Sequence, residues 1–223
     1  MTDIHSHILP GLDDGSKSME MSVELIKGLI SAGYDDLWVT PHISADSYPN
    51  TRDSILRTLD CVCEVLVEVG ISVNLNAAAE YMIDSYFISE LLPKRELLTI
   101  NNQYLLIEFP FMQKPMAIKE LIFDIQLKGY TPILAHPERY QYLYDEPDFY
   151  DELKHTGILF QCNLFSFAGL YGRSAQKVAA KLYKKGLIDL IGTDIHHPDQ
   201  LEYFDYKQTK KILTSNVVIN NLP

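Results

Sequence analysis

The chain has 223 residues, of which 47% are hydrophobic and 22% charged, a globular balance that excludes disordered, collagen-like and fibrous classes. Lysine and arginine total 19 against 30 aspartates and glutamates, a formal charge of −11. That field repels nucleic acid and anionic membrane, so an anionic substrate needs something local and positive to hold it. The length suits one α/β domain with a single large core, 1–223.

Apolar runs and helical periods alternate along the chain with no linker, repeat or low-complexity segment. The first run, DIHSH (3–7), carries His5 and His7. Met19, Val23, Ile26 and Ile30 then recur at helical spacing, with Ser18 as a plausible N-cap and Gly33 as the stop. DLWVTPH (36–42) ends on His42, and Ile55, Leu59, Val62 and Leu66 form the next helical stripe, closed by Gly70. SVNLNAAAEY (72–81) brings Glu80 and YLLIEFP (104–110) brings Glu108. After a helix at 115–128, TPILAHP (131–137) reaches His136. A helix at 147–155, the run ILFQCN (158–163) and a helix at 173–185 follow. LIDLIGTDIH (187–196) ends on Asp194 and His196, and a helix covers 199–213. Pro115, Pro147 and Pro198 sit where first-turn prolines belong.

Seven strands alternating with helices imply parallel strands joined by crossover helices, in an open doubly wound sheet or a barrel. No glycine-rich phosphate loop follows the first strand, which removes the main support for a nucleotide-binding sheet. A barrel is favoured by what ends the strands, since all C-terminal strand ends of a β/α barrel converge on one mouth. His5 and His7 are two apart, so on a strand they point the same way, and Asp194 and His196 repeat that spacing. Five of the seven histidines lie at these positions. Imidazoles and carboxylates gathered without metal would repel or be neutralised by protonation. Nitrogen and oxygen donors without thiolate suit manganese, iron, zinc or magnesium. Arg139, just past His136, offers a fork that fits phosphate.

Three cysteines, Cys61, Cys63 and Cys162, make no disulfide framework or metal spacing and read as reduced, buried thiols. With no apolar run of membrane-spanning length and no basic-then-apolar leader, the chain reads as cytoplasmic. Tyr81, Phe109, Phe111 and Tyr140 follow the polar strand ends as core or pocket residues. His155 reads as a helix C-terminal cation, and Lys181, Lys184 and Lys185 as an exposed helix face.

DIHSHILPGLDDGSKSMEMS (3–22), TPH (40–42), AEY (79–81), EFP (108–110), AHPERY (135–140) and TDIH (193–196) together resemble the PHP (polymerase and histidinol phosphatase) family. More narrowly, the chain is similar to its bacterial protein-tyrosine phosphatases from capsule and exopolysaccharide loci. The resemblance implies a distorted (β/α)7 barrel with a trinuclear, manganese-type centre. One metal would be held by His5, His7, Glu80 and Asp194, and a second by Glu80, Glu108 and His136. A third would be held by Asp14, His42 and His196, although Asp13-Asp14-Gly15 is also a ready-made turn. It also marks Arg139 as phosphate-binding. The second arginine usual in that branch is missing after His196, leaving His197 as a substitute donor or acid and Arg173 as another candidate.

The expected reaction is hydrolysis of phosphotyrosine on an autophosphorylated tyrosine kinase that controls polysaccharide synthesis, by water whose pKa the metals lower toward ~7. There is no C-x5-R signature of a cysteine nucleophile. The alternatives are a histidinol-phosphatase-like small-molecule phosphoesterase and a non-catalytic, metal-bound module that binds phosphotyrosine.

Overall fold

The computed structural model describes residues 1–94 and 96–214; the rest of the expected domain, 215–223, lies outside the described residues. Among the described residues nine strands are formed: β1 (Thr2–Asp3), β2 (Asp36–Val39), β3 (His42–Ile43), β4 (Asn74–Ala77), β5 (Glu80–Met82), β6 (Tyr104–Glu108), β7 (Thr131–Ala135), β8 (Leu159–Asn163) and β9 (Leu190–Gly192). The helices are α1 (Met19–Ser31), α2 (Arg52–Glu68), α3 (Leu92–Lys94), α4 (Ile118–Leu127), α5 (Pro147–Lys154), α6 (Gly172–Lys184) and α7 (Lys207–Leu213).

All strands pair in parallel, in the orders β1-β2-β4 and β3-β5-β6-β7-β8-β9. The fold is therefore mixed α/β with parallel sheets, as the alternation implied. Two of the seven expected strands are split. The second breaks at Thr40-Pro41, where proline has no N–H to give a ladder, and the third breaks at Ala78-Ala79. Hydrogen bonds continue across both gaps, from Ala78 N to Val39 O at 2.9 Å and from Glu80 N to Pro41 O at 3.1 Å. The first run shortens to two residues, but Ser6 still bridges Ile195 in parallel. Asp194 N donates to His5 O at 2.8 Å and His7 N to Ile195 O at 2.9 Å, so the first and last segments meet.

Local chemistry accounts for most helix boundaries. Ser18 Oγ accepts from Met21 N at 3.3 Å, the expected cap of α1. The buried stripe of α1 is shifted from the expected one: Leu25, Ile26 and Leu29 are fully covered, whereas Met19, Val23 and Ile30 are only half-buried. In α2 the expected Ile55, Val62 and Leu66 face inward, and Thr51 and Ser54 cap each other reciprocally. The fourth helix starts at Ile118 rather than 115, because Ala117 enters it in the left-handed region at φ 53°; Pro115 is outside its first turn. The last helix is two pieces, a 3₁₀ turn Pro198–Asp205 and α7.

Strand alternation sorts the core into two parts. Leu105 and Ile107 of β6 join the large cluster under the helices. Tyr104 and Leu106 face the other way, into a small cluster with Ile4, Ile133, Ala135 and Leu190. Glu108 follows Leu106 on that inner face at the C-terminal end of β6. The thiols differ from expectation, since only Cys162 is buried, Cys63 is half-buried and Cys61 is exposed. Among the described residues no helix is long and apolar enough to cross a membrane.

Candidate metal centre

The polar residues that end the strands converge above the small inner cluster. One group brings together His5, His7, Glu80 and Asp194, all buried. A second joins His42, Glu80 and Glu108, and a third joins His7, Asp14, His42 and His196. The first of these coincides with a set expected from the sequence. The others are rearranged: His42 stands where His136 was expected beside Glu80 and Glu108, and His7 joins Asp14, His42 and His196. His136 remains close, with Nε2 2.9 Å from Glu80 Oε1 and 3.9 Å from Glu108 Oε2.

Glu80 is the hub. Its Oε2 lies 3.2 Å from His5 Nε2, 3.3 Å from His7 Nε2 and 3.1 Å from His42 Nδ1. Yet among the described residues neither this oxygen nor His42 Nδ1 has a hydrogen-bond partner, although both are fully buried. Buried polar atoms normally find partners. Donor atoms that crowd together at this distance without bonding one another suit ions shared between them.

The imidazole tautomers support that fit. An ionised Asp194 only accepts, so Asn163 presents Nδ2 to Asp194 Oδ2 at 2.5 Å. Asn163 Oδ1 then accepts from Gln161 Nε2 at 3.0 Å, and Gln161 Oε1 accepts from His5 Nδ1 at 2.7 Å. His7 Nδ1 likewise donates to Asp13 Oδ2 at 2.7 Å. In their neutral forms both rings thus leave Nε2 as the lone-pair nitrogen, and the two Nε2 atoms face each other at 3.1 Å. Two lone pairs that close repel unless a cation or proton lies between them. Outer carboxylates and amides that fix ligand imidazoles are the usual support of a metal site.

Electrostatics balance the same groups. Burial disfavours charge on His7, but Asp13 pushes its pKa up to about 10. Burial likewise opposes charge on His5 and His42, and Glu80 with Asp194 lifts the first while Glu108 with Glu80 lifts the second. His196 is pushed down to about 4 by burial and by His7, on whose ring it stacks at 4.0 Å. Against burial, His5 and His42 hold Glu80 well below the usual carboxylate range, and His5, His196 and Arg139 do the same for Asp194.

Backbone geometry is committed to the same place. His136 and Asp194 adopt φ of 35° and 52°, a left-handed conformation costing on the order of 1 kcal/mol or more for such residues. On β7 alternation Ile133 and Ala135 face inward, so an undistorted strand would turn His136 away; the left-handed step brings its ring in. Asp194 is therefore not a strand residue, contrary to the simple two-residue repeat expected for Asp194 and His196. Gly192 allows the close packing: a Cβ there would lie 2.7 Å from His5 Cβ.

Arg139 donates from its terminal nitrogen to Asp194 Oδ2 at 2.9 Å. Its guanidinium lies between two rings, 4.2 Å from Tyr171 and 4.9 Å from Phe111. A cavity of about 220 Å³, lined by Phe111, Arg139, Gln141, Tyr144, Tyr171 and Ala175, opens beside it. A larger cavity of about 380 Å³ between α6 and α7 has no histidine or carboxylate in its lining. Tyr81, Phe109 and Tyr140 are core residues, and only Phe111 of that set reaches the cavity. His197 is exposed, its ring centred 6.3 Å from that of His196, and Arg173 is exposed on the first turn of α6. Asp14 is exposed, with Oδ1 3.5 Å from His42 Nε2 and 3.7 Å from His196 Nε2. His155 is exposed just past the end of α5, and Lys181 and Lys184 are exposed on the last turn of α6, with Lys185 exposed just past its end.

Sequence reasoning missed Asp13, Gln161, Asn163 and Tyr171. A signal existed for the amides: Gln161 and Asn163 alternate on a run otherwise apolar.

The profile of the family Capsular polysaccharide synthesis, CpsB/CapC, matches residues 1–211. The tyrosine-protein phosphatase YwqE of Bacillus subtilis (strain 168) is 32% identical over 198 residues, spanning 88% of this chain and 78% of the relative. A crystal structure from work on YwqE of Bacillus subtilis and CpsB of Streptococcus pneumoniae, described as unique metal-dependent tyrosine phosphatases, superposes with a TM-score of 0.83 at 28% identity. That match covers 99% of this chain and 96% of the other. Histidinol phosphate phosphatase of Lactococcus lactis shares the fold, with a TM-score of 0.63 at 11% identity over 99% of this chain and 95% of that one.

Proposed function

We propose, on the premise that this chain belongs to the CpsB/CapC family of capsular polysaccharide synthesis, that it is a metal-dependent protein-tyrosine phosphatase. Its substrate is phosphotyrosine on an autophosphorylated tyrosine kinase that regulates capsule or exopolysaccharide synthesis, met in the cytoplasm. The domain is 1–223, a distorted (β/α)7 barrel whose strand ends form the mouth. The observation that carries this reading is the unpartnered Glu80 Oε2 ringed by three imidazole nitrogens.

The residues fit a trinuclear centre. His5, His7, Glu80 and Asp194 would hold one ion. Glu80 and Glu108 would hold a second, with His42 and His136 both in reach. Asp14, His42 and His196, with His7, would hold the third. Manganese is the proposed ion, with iron, zinc and magnesium also suited to these donors. Such ions supply neutralisation of phosphoryl charge and a lowered pKa for bound water.

The chain's own groups do the rest. Arg139 keeps one nitrogen on Asp194 and has further donors for phosphoryl oxygens. Tyr171 and Phe111 fix the plane of its guanidinium, so the fork is ordered before substrate arrives. The 220 Å³ cavity beside it takes the substrate's ring or flanking residue. His197, exposed beside His196, is the proposed donor or acid on the leaving-group side. No side chain is needed as a covalent nucleophile.

The test is phosphate release from a phosphotyrosine peptide with added manganese, combined with metal analysis of gently purified protein. Turnover that His5→Ala abolishes, with close to three ions per chain in the wild type, supports the reading. Peptide binding without turnover would leave a non-catalytic module instead.

A further inference from the structure

The loop from β6 to α4, residues 109–117, carries large apolar side chains into water at the mouth of the site. Phe111 is 41% exposed, Met112 94% and Met116 91%. Apolar surface this concentrated marks contact sites more often than chance. The loop is also held in place. The Tyr142 hydroxyl donates to Pro110 O at 3.1 Å. Lys114 pairs with Glu146 at 2.5 Å and sits 3.5 Å above the Phe149 ring. Ala117 fixes the entry to α4 at φ 53°. Met112 and Met116 are therefore turned outward from an anchored loop.

Phe111 links this surface to the phosphate side of the site. Its ring stacks on His136, with centroids 5.5 Å apart and planes 20° apart, and lies against the Arg139 guanidinium. The apolar rim is thus continuous with the cavity at Arg139. Its one cation, Lys114, is already neutralised by Glu146, so the rim has little to offer an acidic partner. Methionine, unbranched and polarizable, moulds itself to irregular apolar shapes.

We infer that Met112 and Met116, with Phe111, form a docking rim for apolar side chains flanking the phosphotyrosine of a polypeptide substrate. This deepens the phosphatase reading and rests on it. Specificity then divides in two: Arg139 and the metal-competent cluster take the phosphoryl group, and the rim selects its sequence context. The net charge of −11 disfavours an anionic bilayer as the occupant.

The experiment compares full-length wild type with the variant M112Q/M116Q, both loaded with manganese. Three substrates are used: free phosphotyrosine, a peptide with leucines flanking the phosphotyrosine, and the same peptide with serines. The expected result is a roughly tenfold lower kcat/KM on the leucine peptide, carried by KM, from the lost apolar contact. The other two substrates should be unaffected. Equal losses on all three, or no loss on any, would overturn the rim. Fluorescence anisotropy of an unphosphorylated leucine peptide gives a readout independent of hydrolysis. If wild type binds it and M112Q/M116Q does not, while no substrate is turned over, the rim stands and the phosphatase reading falls. If turnover is normal and the two proteins behave alike, the rim alone falls. A dimer in the wild type that M112Q/M116Q converts to monomer would also overturn it, by showing the surface to be an interface between copies.

Discussion

His5 and Asp194 are connected twice: directly, with Nε2 3.4 Å from Oδ1, and through two amides, Gln161 and Asn163, that run from His5 Nδ1 to Asp194 Oδ2. The acidic end sets the orientation of each amide, and the last amide sets the tautomer of the ring. A neutral relay thereby decides which nitrogen of His5 is free to bind an ion.

Asn163→Leu breaks that relay while leaving every proposed ligand in the chain. Loss of such outer support typically costs about 10–100-fold in metal affinity. Titration of metal-free variant with manganese should show that loss, with the fold retained by circular dichroism. Unchanged affinity would mean that packing alone orients His5.

Metal removal should destabilise the protein more at high pH than at low. His7, with a pKa pushed up to about 10, takes a proton when the ion leaves. A folded pKa above the unfolded 6.5 adds stability that is complete below about 6.5 and lost as pH rises through about 10. Protons also compete with ions for the same lone pairs. Chelator is therefore expected to lower Tm by roughly 5 °C or more near pH 8.5 and by less near pH 6, measured by scanning fluorimetry. A larger shift at the lower pH would contradict the shared-lone-pair account.

Arg139→Lys keeps the charge but loses the planar fork and its seat between Tyr171 and Phe111. We expect kcat/KM on a phosphotyrosine ester to fall by about a hundredfold, on the order of 3 kcal/mol of transition-state stabilisation. Metal content should stay at the wild-type level. Loss of metal instead would make Arg139 a brace for Asp194 rather than a phosphate ligand.

Asp3, fully buried below the site, accepts from Thr193 N at 2.9 Å and Thr193 Oγ1 at 2.5 Å. Burial outweighs those bonds and pushes its pKa up to about 6 from 3.8. The raised value contributes stability that is full below about 3.8 and lost as pH rises through about 6. Asp3→Asn should match wild type near pH 4 and become the more stable protein near pH 7.5, by up to roughly 3 kcal/mol. Urea unfolding with chelator throughout keeps ion binding out of the comparison, and a pH-independent difference would refute the assignment.

Much of the architecture was legible along the chain because its signals are local. Ser18 capping α1, the stripe of Ile55, Val62 and Leu66 and the alternation of strand with helix each depend on a few neighbouring residues. The delayed start of α4 escaped because nothing in an alanine marks the left-handed step at Ala117, whereas the break at Pro41 follows from a local signal, the missing N–H of proline. His5, His7, Glu80, Glu108, His136 and Asp194 stood out because charged or imidazole side chains ending apolar runs are costly without a purpose.

The sequence by itself determined the candidate donor chemistry and the α/β class: nitrogen and oxygen donors, no thiolate, parallel strands. Tertiary structure decided which donors cluster within reach of one another, why Asp13 rather than Asp14 is the buried partner of His7, and how the Gln161-Asn163 relay holds His5. It also decided the rings that clamp Arg139. The His5–Gln161 bond alone joins residues 156 positions apart. These relations hinge on left-handed steps at His136 and Asp194 that strand alternation cannot express, because alternation gives the face of a regular strand and these residues have left it.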